Sequence, residues 1–294
     1  MSKLIDGKVT SKKIKDKIAA EVAKMIDNDE RAPHLAAVLV GADPASEFYV
    51  KSKEKACRSV GITSSLYKHS EKTSENELLE IINFLNNDPD VDGFIVQLPL
   101  PDHIDVDRVI NKIDPAKDVD GFHPINIGKM VTGAATYLPA TPYGILMMLE
   151  EYKIETSGKK VVVLGRSNIV GTPMSILLSR KGNPGNATVT LCHSRTENLK
   201  EITAEADIII AAIGVPEFVT ADMVKKEAAI IDVGIHRVDD KTAEKGYKIV
   251  GDVDFAEVSK KASYITPVPG GVGLMTIAAL LENTLKAAKK EVYK

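Results

Sequence analysis

Apolar residues recur along the chain in two rhythms, short unbroken runs and stripes repeating every three to four positions, which mark buried strands and amphipathic helices. In the first half, Lys12–Asn28 reads as a helix, Leu35–Val40 as a buried strand ending at Gly41, and Pro44–Val60 as a helix closed by Gly61. Strand Ile62–Tyr67, helix Ser74–Asn86 and strand Gly93–Leu98 follow, with Ser74 and Glu77 spaced as a capping box. This β-α-β-α-β order predicts a parallel sheet.

A Pro-, Gly- and Asp-rich stretch, Asp114–Pro124, and the segment Pro139–Pro142 precede a further helix, Tyr143–Tyr152, and mark a change of domain. Beyond it come strands Lys160–Leu164, Ala187–Cys192, Ile208–Ala212 and Ala229–Asp232, and a later strand Tyr247–Val250. A long amphipathic segment, Leu274–Tyr293, carries Leu281, Leu285 and Ala288 on one face. The predicted fold is α/β with two domains: residues 1–141 built on a parallel sheet, residues 142–273 of Rossmann type, and a terminal helix, 274–294, packing back onto the first.

With 294 residues the chain is long enough for two domains, and 44% hydrophobic with 27% charged residues fits a soluble globular protein. A formal net charge of −3 argues against nucleic acid or an anionic membrane as the main partner. Met1–Gly7 has no apolar core of signal-peptide length, and no run approaches the ~20 apolar residues of a membrane span, so a cytoplasmic protein is expected. Cys57 and Cys192 form no Cys-x-x-Cys pair and read as small buried apolar residues. His34, His69, His103, His123, His193 and His236 are scattered without ligand spacing, and no metal is expected.

The most informative stretch is Val161–Pro173, where an apolar strand breaks at Gly165 and a helix opens near Gly171. A sharp glycine turn followed by a helix N-terminus presents unpaired N–H groups and a positive dipole end to a dinucleotide pyrophosphate. After the next strand, an NAD-binding unit normally places Asp or Glu to grip the ribose 2′-hydroxyl, but this chain has His193-Ser194-Arg195. A carboxylate would repel a 2′-phosphate, whereas Ser194, Arg195 and Arg166 can donate hydrogen bonds to one, so NADP is favoured over NAD. The two arginines are also compatible with an ordinary solvated surface.

In the first domain, Tyr49 and Lys53 are spaced to share one helix face, Gln97 ends a strand before Pro99-Leu100-Pro101, and Asp118 and Asp120 lie in the boundary loop. Each also has a plain structural reading: a solvated helix face, a strand-end amide satisfying loop backbone, and a turn-stabilising carboxylate.

Taken together, five segments resemble the bifunctional methylenetetrahydrofolate dehydrogenase/cyclohydrolase family. They are Ser46-Glu47-Phe48-Tyr49-Val50-Lys51-Ser52-Lys53, Gln97-Leu98-Pro99-Leu100-Pro101, Lys117-Asp118-Val119-Asp120-Gly121-Phe122, Gly165-Arg166-Ser167 through Gly171, and Pro267-Val268-Pro269-Gly270-Gly271-Val272-Gly273. The resemblance implies NADP-dependent oxidation of 5,10-methylenetetrahydrofolate and hydrolysis of the methenyl product to 10-formyltetrahydrofolate, within one-carbon metabolism and purine biosynthesis. It implies Lys53 as acid/base, Gln97 as its orienting partner and Asp120 as a pterin contact. Tyr49 would stack on the aminobenzoyl ring, with Val96, Leu98, Pro269, Gly270, Gly271, Val272 and Gly273 lining the folate site. Gly165, Arg166, Ser167, Ser194 and Ile235 would hold NADP, and a homodimer built through the cofactor domain is implied.

A buried lysine beside a cationic carbon would lose its proton more readily than the free side chain, whose pKa is about 10.4. Leu274 stands where the family usually has proline, which predicts a looser start to the terminal helix. Ala140 replaces a common cysteine, a change expected to be neutral. A dehydrogenase-only member, possibly using NAD, and a non-catalytic dinucleotide-sensing module are the competing readings.

Overall fold

The structure, a computed structural model, describes residues 2–243 and 246–293. Its first elements are β1 (Lys3–Leu4), α1 (Gly7–Asp27), β2 (His34–Val40), α2 (Pro44–Ser59), β3 (Thr63–His69), α3 (Glu75–Asn87), β4 (Gly93–Val96), α4 (Val106–Lys112), α5 (Pro124–Thr132) and α6 (Ala140–Glu151). Then come β5 (Lys160–Leu164), α7 (Gly171–Ser179), β6 (Thr188–Cys192), α8 (Leu199–Ala204), β7 (Ile208–Ala211), β8 (Ala229–Asp232), β9 (His236–Asp239), β10 (Tyr247–Val250), α9 (Phe255–Val258), β11 (Tyr264–Ile265) and α10 (Val272–Ala288). The chain forms two units, residues 12–140 with 277–294 and residues 1–11 with 141–276.

In the unit of 12–140 with 277–294, a three-stranded parallel sheet runs in the order β3-β2-β4. Central β2 is apolar and buried along nearly its whole length, as a strand covered on both faces must be. The capping box at Ser74 and Glu77 is present, and Leu78, Ile82 and Leu85 of α3 pack with Val38, Phe94 and Val96. Strand β4 stops at Val96, shorter than the expected Leu98; Gln97 still donates to Val38 O at 2.9 Å, but Pro99 has no N–H to extend the ladder. The boundary loop docks on this edge through a parallel bridge between Phe94 and Asp118. Asn283 of α10, 1% exposed, donates through its single amide nitrogen to Val119 O and Leu138 O, each at 2.9 Å.

The other unit carries a six-stranded parallel sheet, β1-β11-β8-β7-β5-β6, whose central strands are almost wholly apolar. The first eleven residues belong here rather than with the unit they precede, because β1 pairs with β11, Lys3 opposite Tyr264. Helix α1 starts at Gly7, five residues before the expected Lys12, because Asp6 accepts the N–H groups of Lys8 at 2.7 Å and Val9 at 3.1 Å. Successive strands β6 and β7 lie on opposite sides of β5, making a switch point at its carboxyl end. Strands β9 and β10 form a separate antiparallel pair with His236 opposite Val250.

A buried carboxylate ties β8 to the segment after β10. Asp232 Oδ1 accepts from Gly234 N at 3.0 Å and Asp252 N at 2.8 Å, and its Oδ2 accepts from Val253 N at 3.0 Å. Glycine is required at 251, where a Cβ would sit 1.8 Å from Asp232 Oδ2.

Two measurements check these contacts. Asn283→Ala leaves the buried Val119 carbonyl and the partly buried Leu138 carbonyl without their donor and lowers stability by about 2–3 kcal/mol, read as a lower urea midpoint. Burial pushes the Asp232 carboxyl up to about 6, against about 3.9 in an unfolded chain, so the folded protein binds this proton more tightly. Its contribution therefore favours folding at low pH and is lost as pH rises between those values. Asp232→Asn flattens the pH dependence of the urea midpoint across that window relative to wild type.

Candidate active site

Helix α2 is started by Asp43, whose side chain accepts the Ser46 N–H at 2.7 Å, with Pro44 at its first position. Ser46, Val50 and Cys57 are buried along one stripe, and Lys53 falls on that stripe between Val50 and Cys57. Its ammonium is thereby carried toward the sheet rather than into solvent. Lys53 Nζ donates to Gln97 Oε1 at 3.0 Å, and Gln97 Nε2 donates to Leu98 O at 2.6 Å. The second bond fixes the amide's orientation, so that its carbonyl oxygen faces the lysine.

Burial lowers the pKa of Lys53 below its ordinary value, with the Asp120 carboxylate opposing the shift. Burial likewise raises Asp120 above the usual carboxylate range, with Lys53 opposing. The structure thus brings Lys53, Gln97 and Asp120 into one electrostatic group. Asp118 has a different job: it accepts from Gly121 N at 3.1 Å, His123 N at 2.7 Å and Asn126 Nδ2 at 2.8 Å, shaping the loop. Asp120, Val96, Leu98 and Phe122 line a small, largely apolar recess at the end of β4. Tyr49, one turn before Lys53, is half-buried and meets the exposed Phe48 edge to face, ring centroids 6.3 Å apart. Cys57 is buried, and burial pushes its thiol to about 12, which excludes a thiolate nucleophile at neutral pH.

In the unit of 1–11 with 141–276, Gly165 closes β5 at φ +101°, and a Cβ there would lie 2.1 Å from Ala212 O. A Cβ on Gly171 would lie 1.9 Å from Gly165 O, so both positions require glycine. Ser167 Oγ accepts from Val170 N at 3.1 Å, holding the turn that opens α7. Leu164 pairs with Cys192, which places exposed Arg166 and Ser194 each two residues beyond the carboxyl ends of neighbouring strands. The Ser194 turn is closed by His193 N donating to Thr196 Oγ1 at 2.9 Å and Arg195 N to His193 Nδ1 at 3.1 Å. Two required glycines beside exposed Arg166 and Ser194 fit the backbone approach and charge that a phosphorylated dinucleotide demands.

Exposed Ile235 lies against the start of α10, where a Cβ on Gly273 would come 3.1 Å from its Cδ1. In the loop before α10, Gly271 is buried, Pro269 exposed and Gly270 partly so; in its first turn, Val272 is buried and Gly273 partly exposed. Helix α10 starts at Val272 despite Leu274, whose N–H reaches Gly271 O at 3.3 Å, so the absent proline does not delay it. Sequence reasoning missed Asp252 and His236, joined through Oδ1 and Nε2 at 2.7 Å. The one signal available was the pairing of each aspartate with a nearby glycine, Asp232 with Gly234 and Gly251 with Asp252.

Among the described residues, no helix is long and apolar enough to cross a membrane, and no group of His, Cys, Asp and Glu is gathered as a metal site.

The catalytic-domain model of tetrahydrofolate dehydrogenase/cyclohydrolase matches residues 5–120, and its NAD(P)-binding-domain model matches residues 139–292. A bifunctional protein FolD from Flavobacterium psychrophilum is 62% identical, over 98% of this chain and 98% of its own. One from Bacteroides fragilis is 58% identical over 99% of each. The crystal structure of the bifunctional enzyme FolD from Campylobacter jejuni aligns with a TM-score of 0.93 at 50% identity, covering 99% of this chain and 100% of that one. The Trypanosoma brucei methylenetetrahydrofolate dehydrogenase-cyclohydrolase, solved with NADP and an inhibitor, aligns with a TM-score of 0.93 at 36% identity over 100% and 99%. The chain belongs to the tetrahydrofolate dehydrogenase/cyclohydrolase family.

Proposed function

We infer that this protein is a bifunctional enzyme that oxidises 5,10-methylenetetrahydrofolate to 5,10-methenyltetrahydrofolate with NADP and hydrolyses the methenyl cation to 10-formyltetrahydrofolate. The observation that carries the hydrolytic step is Lys53 on a buried helix stripe, its proton loosened by burial and its Nζ held by Gln97.

As water adds to the methenyl carbon, the neutral Lys53 amine accepts one of its protons. The resulting ammonium gives a proton to N5 as the bond from carbon to N5 breaks. The carbinol hydroxyl loses its proton as the formyl group forms, and one proton is released to solvent. Gln97 accepts from the lysine in either protonation state and keeps Nζ aimed. Asp120 hydrogen-bonds the pterin, Tyr49 stacks on the aminobenzoyl ring, and Val96 and Leu98 supply apolar contacts to the folate.

Bound NADP⁺ supplies the acceptor for the hydride that leaves the methylene carbon. Gly165 and Gly171 leave room for its phosphates, Arg166 and Ser194 hold the 2′-phosphate, and Ser167 and Ile235 complete its site. The open edge of β6 supports a homodimer formed through this unit, with sedimentation of the purified protein as its test. The reading also places the enzyme in the cytoplasm, providing one-carbon units for purine biosynthesis.

Lys53→Met lowers cyclohydrolase kcat by about a thousandfold while leaving dehydrogenase kcat within about tenfold; equal loss of both activities overturns the assignment. Wild-type hydrolysis rises with pH as Lys53 gives up its proton, and levels off below the free-lysine value of about 10.4. Ser194→Asp sets a carboxylate against the 2′-phosphate and raises the KM for NADP⁺ about a hundredfold with little effect on NAD⁺, measured as the ratio of the two kcat/KM values.

A further inference from the structure

We propose that Asp252 and His236 are a positioning pair for the dinucleotide, setting the turn Ile213–Gly214 at the switch point of the six-stranded sheet. The proposal rests on the NADP reading given above.

Asp252 is wholly buried, and both of its carboxylate oxygens are engaged. Oδ2 accepts from Ile213 N at 2.7 Å and Gly214 N at 3.0 Å, the two residues after Ala212 at the end of β7. Oδ1 meets His236 Nε2 at 2.7 Å, on β9. One side chain thus couples the β7 turn to the β9–β10 pair. The site is built around this carboxylate, because a Cβ on Gly234 would lie 2.3 Å from Asp252 Oδ1.

The β7 turn is also one wall of the glycine cradle. A Cβ on Gly165 would strike Ala212 O at 2.1 Å and approach Ile213 N at 3.5 Å, so the ends of β5 and β7 abut where a ligand of a doubly wound sheet binds. Ile213 and Gly214 have amide N–H groups that would otherwise be open to water or to an anionic ligand. Asp252 takes both, and the direction of the turn is then set by a charge on a neighbouring element.

A buried negative charge beside an anionic dinucleotide would oppose its binding unless it is compensated. The two amides and His236, whose side chain is 20% exposed, provide that compensation. His236 also neighbours Ile235, so the same bond fixes the backbone from which that side chain projects toward α10. His236 acts through Asp252 and does not itself touch a reacting atom.

The test compares His236→Leu, which removes the donor, with His236→Gln, whose amide can still donate to Asp252. Two quantities are measured on the full-length protein: NADP⁺ binding by titration calorimetry, and hydrolysis of methenyltetrahydrofolate without dinucleotide. The expected result is that His236→Leu weakens NADP⁺ binding about tenfold, that His236→Gln stays within about twofold of wild type, and that hydrolysis by both stays within about twofold. An unchanged NADP⁺ affinity in His236→Leu overturns the proposal. So does a loss of hydrolysis matching the loss of affinity, since that marks general unfolding rather than positioning. Failure of the wild-type protein to bind NADP⁺ overturns the cofactor assignment itself.

Discussion

The hydrolytic step we propose depends on one hydrogen bond between a lysine and an uncharged amide, Lys53 to Gln97. A lysine on the apolar stripe of a helix is costly, because its charged form loses water, and the structure meets that cost with a neutral acceptor rather than a tight carboxylate pair. A carboxylate in direct contact would have held the proton firmly. An amide satisfies the ammonium's geometry without adding a charge, and Asp120 opposes the downward shift that burial causes. That balance suits the proton exchange proposed for Lys53.

The unit of 1–11 with 141–276 solves a different problem, that of presenting backbone to an anion. Required glycines at 165 and 171 bring main chain close at the opening of α7, and Arg166 and Ser194 follow from the register of β5 and β6. Buried Asp232 and Asp252 tie together the carboxyl end of the same sheet by collecting N–H groups from segments far apart in sequence. Carboxylates there act as structural acceptors, a role that requires glycine beside them because any side chain would displace an oxygen.

What was legible in the sequence was what local pattern encodes. Continuous apolar runs such as Leu35–Val40 and Lys160–Leu164 became central strands, and the Ser74 capping box formed as spaced. The short elements β1, α8 and β11 escaped notice because two to six residues carry no measurable period. Lys53 was visible as sharing a face with Tyr49, yet its burial depends on which face of α2 meets the sheet, which spacing alone leaves open. Asp118 and Asp120 looked alike in the loop; only the docking of Asp118 on Phe94 and Asn126 separates a scaffold from a candidate ligand group. The contact of Asp252 with the amides of Ile213 and Gly214 crosses tens of residues and left only neighbouring glycines as a trace.

The pairing of β1 with β11 reaches beyond architecture. Residues 1–11 find their strand partners only after Tyr264 has been made, and the unit of 12–140 is finished only by residues 277–294. On a ribosome, neither half can complete its core as it emerges, so both wait for the tail of the chain. Cutting at residue 141 would strip an edge strand from one piece and a closing helix from the other, leaving two fragments that are each incomplete.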